Sequence, residues 1–256
     1  MSVLDAYISI EQRSRDLYCD ASLSKNPFHL KSASDMTIGP GERVLVPTGA
    51  RFALPAYVAG SVTIDEALSD RAMRCMNAPG LIDSGYRGEG KMIVQNMNRT
   101  EDVTIARGEE ICWIALRKTC CLVVGEMSAP MLDEGLVRFK SEDEERVCNM
   151  QEGIECQYRT IDPQIGAPAY AHEGDNGLDL RSSETFDLVP GARRRVSVGL
   201  AVKGPYGYRA YVQSRSGLAF KEGVAVFDAP ALVTACIDEE LTVLLANLDQ
   251  TRTVHV

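Results

Sequence analysis

An internal repeat constrains the fold of this 256-residue chain more than any other feature of its sequence. When the chain is shifted against itself by 150 residues, turn-forming and apolar residues coincide in the same order in both halves. The matched pairs are Leu30 with Leu180, Pro40-Gly41 with Pro190-Gly191, Gly49 with Gly199, Pro55 with Pro205 and Leu68 with Leu218. A shift of 151 aligns residues 93–96 with 244–247. Because the residues that set backbone turns are kept, we expect two copies of one fold.

The patterning within each copy is typical of β-strands. Apolar residues alternate with other residues at Val196, Val198, Leu200 and Val202, which is the period of a strand with one buried face. Three further runs are rich in β-favouring residues; they are residues 44–46, 91–94 and 241–245. Gly-Pro pairs separate these runs as turns, and helical periodicity is confined to residues 64–72 and 131–146. The sequence therefore predicts an all-β fold of sandwich or barrel type.

The copies are expected at residues 1–125 and 166–256, joined by a linker at residues 126–165 that matches neither copy. The linker carries the acidic run Glu142-Asp143-Glu144-Glu145. Such a run is most often a solvated face, and the alternative is a segment that binds a host protein.

Composition excludes several classes of protein. A net charge of −9 argues against a nucleic-acid binder, which needs a basic surface. No apolar run approaches the ~20 residues of a membrane-spanning helix, and the first residues lack the pattern of a secretory signal. The eight cysteines form no Cys-x-x-Cys motif, so neither a zinc cluster nor a disulfide framework is expected. We expect a soluble intracellular protein of the cytoplasm or nucleus that binds no membrane.

The first candidate motif is Gly80-Leu81-Ile82-Asp83-Ser84-Gly85-Tyr86-Arg87-Gly88-Glu89, preceded by Asn77. An Asp in a glycine-bounded turn between strands can direct its carboxylate into a cleft and act as a general base on water. The Tyr86 ring offers a flat surface for a sugar or a base. Taken alone, such a motif is more often a hairpin corner with an ordinary turn aspartate.

Two further motifs lie in the second copy. In Gly174-Asp175-Asn176-Gly177-Leu178-Asp179-Leu180, Asp179 is a candidate Mg²⁺ ligand, with a solvent-facing aspartate as the alternative. In Ser214-Arg215-Ser216-Gly217-Leu218-Ala219, the guanidinium and hydroxyl suit phosphate oxygens, and glycine permits a close backbone approach. Residues 171–225 carry eight basic and six acidic residues, a locally favourable balance for a triphosphate.

The two copies have lost complementary groups. The 150-residue shift places His29 at the position of Asp179, and Asp65-Glu66-Ala67 at that of Arg215-Ser216-Gly217. The 151-residue shift places Thr234 and Ile237 at the positions of Asp83 and Tyr86. Only one composite site can therefore be assembled, with the base and the ring from the first copy and the phosphate and metal groups from the second.

Together the three motifs resemble those of the dUTPase family, which carry Gly-Leu-Asp-Leu, Arg-Ser-Gly-Leu-Ala and Gly-Leu-Ile-Asp-x-x-Tyr-Arg-Gly-Glu. The last motif comes first here, and that order in a doubled chain resembles the double-length dUTPases of herpesviruses. The resemblance implies two tandem dUTPase-like β-barrels of β-clip or jelly-roll type, one composite site and a monomer. It also implies an enzyme of nucleotide metabolism that hydrolyses dUTP to dUMP and pyrophosphate, supplying the dTMP precursor and keeping uracil out of DNA.

The resemblance also implies a role for each motif residue. Asp83 would deprotonate the attacking water, Tyr86 would lie under the deoxyribose, and Asp179 would bind Mg²⁺ through water. The uracil edge would be read by the hairpin that contains Asn77, Gly80, Leu81 and Ile82. The phosphates would be held by Arg215, Ser216 and Gly217.

The chain departs from the family pattern near residue 113 and at its end. Trp113 stands where the fourth family motif has Gln, and the sequence ends at Val256, before the second copy's fourth motif and the glycine-rich fifth motif. We therefore expect a fragment or a shortened relative, with turnover lowered by the missing phosphate-closing segment. The alternatives are a catalytically inactive relative that acts as a protein-interaction module, and a deoxycytidine triphosphate deaminase, which shares the fold.

Overall fold

The structure is a computed structural model that describes residues 7–18, 27–56, 58–119, 122–126, 154–203, 209–233 and 239–256. The described residues form strands β1 Tyr7–Ile10, β2 Phe28–Lys31, β3 Met36–Ile38, β4 Arg43–Ala53, β5 Val58–Ile64, β6 Met73–Cys75, β7 Gly80–Ile82, β8 Glu89–Asn96, β9 Val103–Ile105, β10 Glu110–Lys118, β11 Leu122–Glu126, β12 Ile154–Thr160, β13 Asp187–Leu188, β14 Arg193–Ser197, β15 Leu200–Lys203, β16 Ala210–Val212, β17 Val224–Val226, β18 Ala231–Val233, β19 Thr242–Asn247 and β20 Val254–His255. Helices are few and short: a 3₁₀ helix at Gln12–Leu17, α1 at Glu66–Asp70 and α2 at Ser216–Glu222. In the described ranges, no helix has the length and apolarity needed to cross a membrane.

Two four-stranded sheets enclose the core of the first copy. Their strand orders are β1-β4-β8-β6 and β2-β10-β5-β7, and β3 pairs with β9 beside them. The rings of Phe28 and Phe52 stack with their centroids 6.5 Å apart. The side chains around them are almost fully buried: Leu30, Ile38, Val46, Leu68, Ile105, Ile111 and Ile114. The all-β prediction is confirmed.

The second copy repeats this pairing at the predicted offset. β12 pairs antiparallel with β15 so that Gln157 faces Lys203, just as β1 pairs with β4 so that Tyr7 faces Ala53. β12 lies within residues 126–165, the span predicted as a linker, so part of that span is a strand of the second copy's sheet. Its partner strand is distant in sequence, and local composition does not indicate such a pairing.

Two asparagines make the same hydrogen bonds in both copies. The buried Asn96 Nδ2 donates to the carbonyl oxygens of Ile38 and Glu101, at 2.9 and 2.8 Å. In the second copy, Asn247 Nδ2 donates to those of Leu188 and Arg252, each at 2.8 Å. The two copies thus share backbone geometry around these amides, which confirms the repeat.

The alternating run at residues 196–202 forms two strands rather than the one that the sequence predicts. β14 ends and β15 begins on either side of Gly199, whose φ of +66° interrupts the extended backbone. The buried face is nevertheless present, because Val196, Val198 and Leu200 are all at most 3% exposed.

The helix predicted at residues 64–72 is confirmed as α1, and its N-terminus is capped by the Asp65 side chain. The fully buried Leu68 anchors it to the core. α2 occupies the repeated position in the second copy. The helix predicted at residues 131–146 lies outside the described residues.

Polar contacts and a small apolar cluster join the two copies. Arg43 Nη2 lies 2.9 Å from Asp249 Oδ2, and Arg43 Nε donates to the Phe220 carbonyl oxygen at 3.2 Å. Gln95 Nε2 donates to the Leu248 carbonyl oxygen at 3.0 Å. The cluster beside these bonds comprises Met76, Ile93, Ala219, Phe220 and Leu248. Docking of the copies therefore depends in part on residues outside the motifs, such as Arg43, Gln95 and Asp249.

The Asp249 carboxylate makes this contact between copies sensitive to acid. Burial by itself raises the pKa of Asp249, but hydrogen bonds from Thr251, Arg252 and Arg43 outweigh it and hold the pKa well below its ordinary value of 3.8. A depressed pKa in the folded state contributes stability that is present above the ordinary value and is lost as the pH falls below it. We expect the free energy of unfolding of Asp249→Asn to depend less on pH below about pH 4 than that of the unmodified chain, as urea titrations at several pH values would show. Parallel pH dependences would contradict this prediction.

Candidate active site

The hairpin predicted to read a base, residues 77–82, runs from the end of β6 into β7. Because β6 pairs with β8 and β7 pairs with β5, this hairpin is a turn that connects two sheets rather than a pair of adjacent strands. β7 pairs with β5, so that Gly80 faces Val62 and Ile82 faces Gly60, and both Gly80 and Ile82 are buried. Leu81 points outward and is 41% exposed. At the turn, Asn77 Oδ1 accepts a hydrogen bond from the Cys75 thiol at 3.5 Å. Backbone groups of this hairpin are therefore held in place by the core of the first copy.

Asp83 follows β7 directly and meets the second copy. Its Oδ1 atom accepts hydrogen bonds from the backbone N–H of Asn176 at 2.8 Å and from Asn176 Nδ2 at 3.2 Å. Asn176 lies in the candidate metal-binding motif, so two of the three motifs are in direct contact.

A second contact fixes the loops around Asp83. Ser84 Oγ donates to the Gly174 carbonyl oxygen at 2.9 Å, and the Gly85 N–H donates to the same oxygen at 3.2 Å. A Cβ atom at position 85 would lie only 2.8 Å from the Glu173 carbonyl oxygen. Glycine is therefore required at position 85 by the close approach of the second copy's backbone.

Gly85→Ala tests this approach. The added methyl group must push the Glu173 carbonyl away, and a displacement of about 1 Å at a reacting centre costs up to about 10²-fold in rate. We expect turnover at this candidate site to fall by about 10- to 100-fold, with the cooperative unfolding transition retained. Gly39→Ala is the control, because its Cβ would meet only ordinary contacts of 3.5 Å or more. Equal activity of the two variants would refute the requirement.

The Tyr86 ring is 43% exposed beside the turn. Its hydroxyl donates to the Glu89 carbonyl oxygen at 2.7 Å. A Cβ atom at position 88 would lie 2.6 Å from that hydroxyl oxygen, so Gly88 leaves the space that the ring occupies. One end of the ring is thus tethered while much of the side chain remains accessible, as a stacking surface requires.

The metal and phosphate candidates of the second copy contact each other. Arg215 Nη2 lies 3.3 Å from Asp179 Oδ2, and both side chains are partly exposed. Ser216 and Gly217 form the first turn of α2, and a Cβ atom at position 217 would meet nothing within 4 Å. This part of the site is open to solvent.

Chain geometry limits how far apart the two halves of the site can lie. The three Cα-to-Cα steps from Asn176 to Asp179 span at most about 11 Å. Asp83 contacts the first of them at 2.8 Å, and Arg215 contacts the last at 3.3 Å. The first copy's carboxylate and the second copy's guanidinium are therefore linked through one short segment of the second copy.

The donor set around Asp179 fits a magnesium ion that keeps other ligands. Among the described residues, the one group of three or more metal-ligating side chains is His29, Asp65 and Glu110, so Asp179 belongs to no such group. Mg²⁺ is commonly bound by one or two carboxylates, with water and substrate phosphates completing its shell. The residues present are thus compatible with a metal that arrives with a polyphosphate.

The repeated position in the first copy has the opposite character. His29 Nδ1 lies 3.8 Å from Asp65 Oδ2 and 3.3 Å from Glu110 Oε2. Asp65 stands where the second copy has Arg215, so the first copy presents carboxylates at the position of the guanidinium. A polyphosphate would be repelled there.

A pocket of about 170 Å³ opens between the copies next to the hairpin. It is lined from the first copy by residues that include Cys75 and Ala78, and from the second by Val226 and Ala229. Burial raises the pKa of the Cys75 thiol to about 11, with smaller effects from Asn77 and Arg74, so the thiol is protonated at neutral pH. Arg74 also lines the pocket and brings a positive charge to it.

Sequence reasoning missed the contacts that join the motifs. Asn176 lies inside the candidate metal-binding motif. Its position between Asp175 and Gly177 is the one sequence feature that could have indicated a polar contact there. Ser84 lies inside the first candidate motif but was given no role there, and nothing in the sequence marks Thr119. The Thr119 hydroxyl donates to Asn176 Oδ1 at 2.6 Å.

Comparison with known proteins follows the same two-part division. The family model described as dUTPase matches residues 16–127 and again 164–255. A deoxyuridine 5'-triphosphate nucleotidohydrolase from Streptomyces avermitilis is 45% identical over 97 residues, which cover 38% of this chain and 55% of that protein. Its counterpart from Mycobacterium tuberculosis (strain CDC 1551) is 42% identical over 89 residues, covering 35% and 58%. This chain thus spans a little over half the length of the curated relatives it matches.

Solved structures of lower similarity include the dUTPase from Streptococcus mutans, with a TM-score of 0.37 and 19% identity over 43% of this chain and 94% of that one. A mutant dUTPase from phage phi11 of S. aureus, described with a structural Mg(II) ion, has a TM-score of 0.42 and 12% identity over 49% and 97%. The two matches of the family model together cover well over half of the sequence, and the chain therefore belongs to the dUTPase family.

Proposed function

We propose that this protein hydrolyses dUTP to dUMP and pyrophosphate at one composite site between its two copies. The observation that carries the proposal is the contact of the Asp83 carboxylate, from the first copy, with the segment of the second copy that leads to Asp179 and Arg215. A base candidate and a phosphate-binding candidate are thereby connected through one short segment, which supports a shared site. Membership of the dUTPase family supports the substrate.

Asp83 acts as the general base. Its Oδ1 is occupied by Asn176, and no described residue donates to Oδ2, which is therefore the oxygen that takes the proton from the attacking water. The water attacks the α-phosphorus, the bond to the bridging oxygen breaks, and pyrophosphate leaves.

The hairpin from Asn77 to Ile82 reads the uracil edge through backbone groups. Gly80, Leu81 and Ile82 provide these groups in a strand that the core holds rigid. A rigid backbone close to C5 excludes the methyl group of thymine, and cytosine presents the wrong donors and acceptors. The Tyr86 ring lies under the deoxyribose and leaves no room for a 2′-hydroxyl.

Arg215, Ser216 and Gly217 hold the phosphates, and Asp179 holds the metal. The guanidinium provides a fork of donors that suits phosphate oxygens. Mg²⁺, when bound, supplies positive charge that offsets the charge developing on the phosphoryl oxygens and on pyrophosphate. Because Arg215 neutralises Asp179 in the structure, the metal is expected to bind together with the nucleotide rather than before it.

The proposal extends to the organisation of the protein. Two family-model matches and the motif order support a double-length dUTPase like those of herpesviruses, although the relatives reported above are bacterial. We place a first domain within residues 1–125 and a second within 166–256, preceded by β12. We propose that the protein acts as a monomer in the cytoplasm or nucleus of a host cell, and that the acidic segment between the domains is available to a host protein.

Release of pyrophosphate from dUTP by the full-length protein, with Mg²⁺ present, tests the function. We expect turnover of dUTP to exceed that of dTTP, dCTP and UTP, and chelation of the metal to abolish it. If release is absent, or unchanged in Asp83→Asn, the proposal is wrong. Absence of binding of a non-hydrolysable dUTP analogue in calorimetry would then favour a non-catalytic interaction module, whereas uracil formation from dCTP would favour a deaminase.

A further inference from the structure

Asn176 contacts Asp83 through both its backbone and its side chain. The backbone N–H and Nδ2 donate to the same carboxylate oxygen, at 2.8 and 3.2 Å. These donors come from the second copy, whereas the acceptor belongs to the first. The carboxylate is therefore oriented across the boundary between the copies.

Thr119 determines which way the Asn176 amide faces. The Thr119 hydroxyl donates to Asn176 Oδ1 at 2.6 Å, so the amide oxygen faces Thr119 and the NH₂ group faces Asp83. The opposite orientation would direct the amide oxygen at a carboxylate oxygen, which is unfavourable. Thr119 directly follows β10, whose last residues pair with β5 within the first copy's sheet, with Lys118 opposite Val58. The orientation of the Asn176 amide is thus fixed by a residue at the end of a sheet strand.

We propose that Asn176 is a positioning residue for Asp83 and that Thr119 holds Asn176 in the productive orientation. The proposal rests on the proposed role of Asp83 as the base. The chain of contacts runs from the first copy to the second and back, so the reactive oxygen points correctly only while the copies are docked. Asn176 itself touches no reacting atom.

Asn176→Ala separates positioning from substrate binding. The backbone N–H remains, so one hydrogen bond is kept while the carboxylate loses its second restraint. We expect kcat for dUTP to fall by about 10-fold with KM unchanged, since misorientation affects the chemical step. Glu173→Gln, an exposed change in the same loop, is the control and should behave as the unmodified protein. A wild-type kcat in Asn176→Ala, or a change in KM alone, would overturn the proposal.

A double-mutant cycle tests the role of Thr119. Thr119→Val should lower kcat about as much as Asn176→Ala, and the double variant should be no worse than Asn176→Ala, because both act through one amide. Thr119→Ser keeps the hydroxyl and should restore kcat. Additive losses, or failure of serine to restore activity, would show that Thr119 acts independently of Asn176.

NMR of the Asn176 side-chain amide tests the contact independently of turnover, and so independently of the proposed function. The side-chain amide resonances of Asn176, assigned by their loss in Asn176→Ala, should shift in both Thr119→Val and Asp83→Asn. Unchanged resonances would refute the contact whatever the activity. Conversely, shifted resonances together with a turnover that Asp83→Asn leaves unaltered would refute the proposed function and with it the catalytic meaning of the contact.

Discussion

Asp83→Asn is expected to lower kcat for dUTP by about 10²- to 10⁴-fold, the usual contribution of a general base. The amide is nearly the same size as the carboxylate, and its oxygen can still accept the hydrogen bonds from Asn176. The fold and the docking of the copies should therefore be kept, and KM should change little. What is lost is the oxygen that accepts a proton from water.

Steady-state pyrophosphate release measures this effect, with Asp70→Asn as the control. Asp70 is an exposed aspartate at the end of α1, so Asp70→Asn removes the same charge and is expected to leave activity unchanged. A fall of less than about 10-fold in Asp83→Asn would assign the base to another group.

Arg43→Met should weaken the docking of the two copies and reduce activity with it. Arg43 and Asp249 are each only 14% exposed, so removing the guanidinium leaves a nearly buried carboxylate without its ionic partner. Breaking a fully buried pair costs roughly 3–5 kcal/mol, and we expect about 2–3 kcal/mol here because some water reaches the pair and Thr251 and Arg252 still donate to Asp249. Because the site is shared between the copies, kcat/KM should fall as docking weakens.

Urea denaturation and dUTP turnover check this expectation together, and Arg107→Met is the matched control. Arg107 pairs with Asp16 within the first copy, where both side chains are well exposed, so its loss should change stability little. Arg43→Lys keeps a charge and should lie between the unmodified chain and Arg43→Met. If Arg43→Met is as stable and as active as Arg107→Met, the contact does not hold the copies together.

The all-β class of the fold can be predicted from local sequence patterns. Alternation of apolar residues and Gly-Pro turns predict β-strands because these features depend on neighbours in sequence. The interruption at Gly199 was not foreseen, since the apolar alternation continues through it while the backbone does not. β12 was missed for another reason: its pairing with β15 involves residues more than forty positions apart, such as Gln157 and Lys203.

The candidate site divides in the same way. Asp83, Tyr86, Asp179 and the Arg215 turn are recognisable because their residue types and spacing carry the chemistry. The contacts that bring these residues together cannot be recognised from the sequence, because Asp83 contacts a residue 93 positions away. The link through Thr119 depends on two copies that pack in one particular arrangement.

The amino-acid order alone thus decided that this chain is a doubled β protein whose halves retain different polar groups. Turn-forming residues and strand periodicity depend on only a few neighbouring residues, so they can be identified from the sequence. If both copies had lost the same polar groups, no composite site could be formed. Only the tertiary structure decided that Asn176 and Gly174 lie against Asp83 and Gly85, since that contact arises from packing between copies and no short stretch of sequence encodes it.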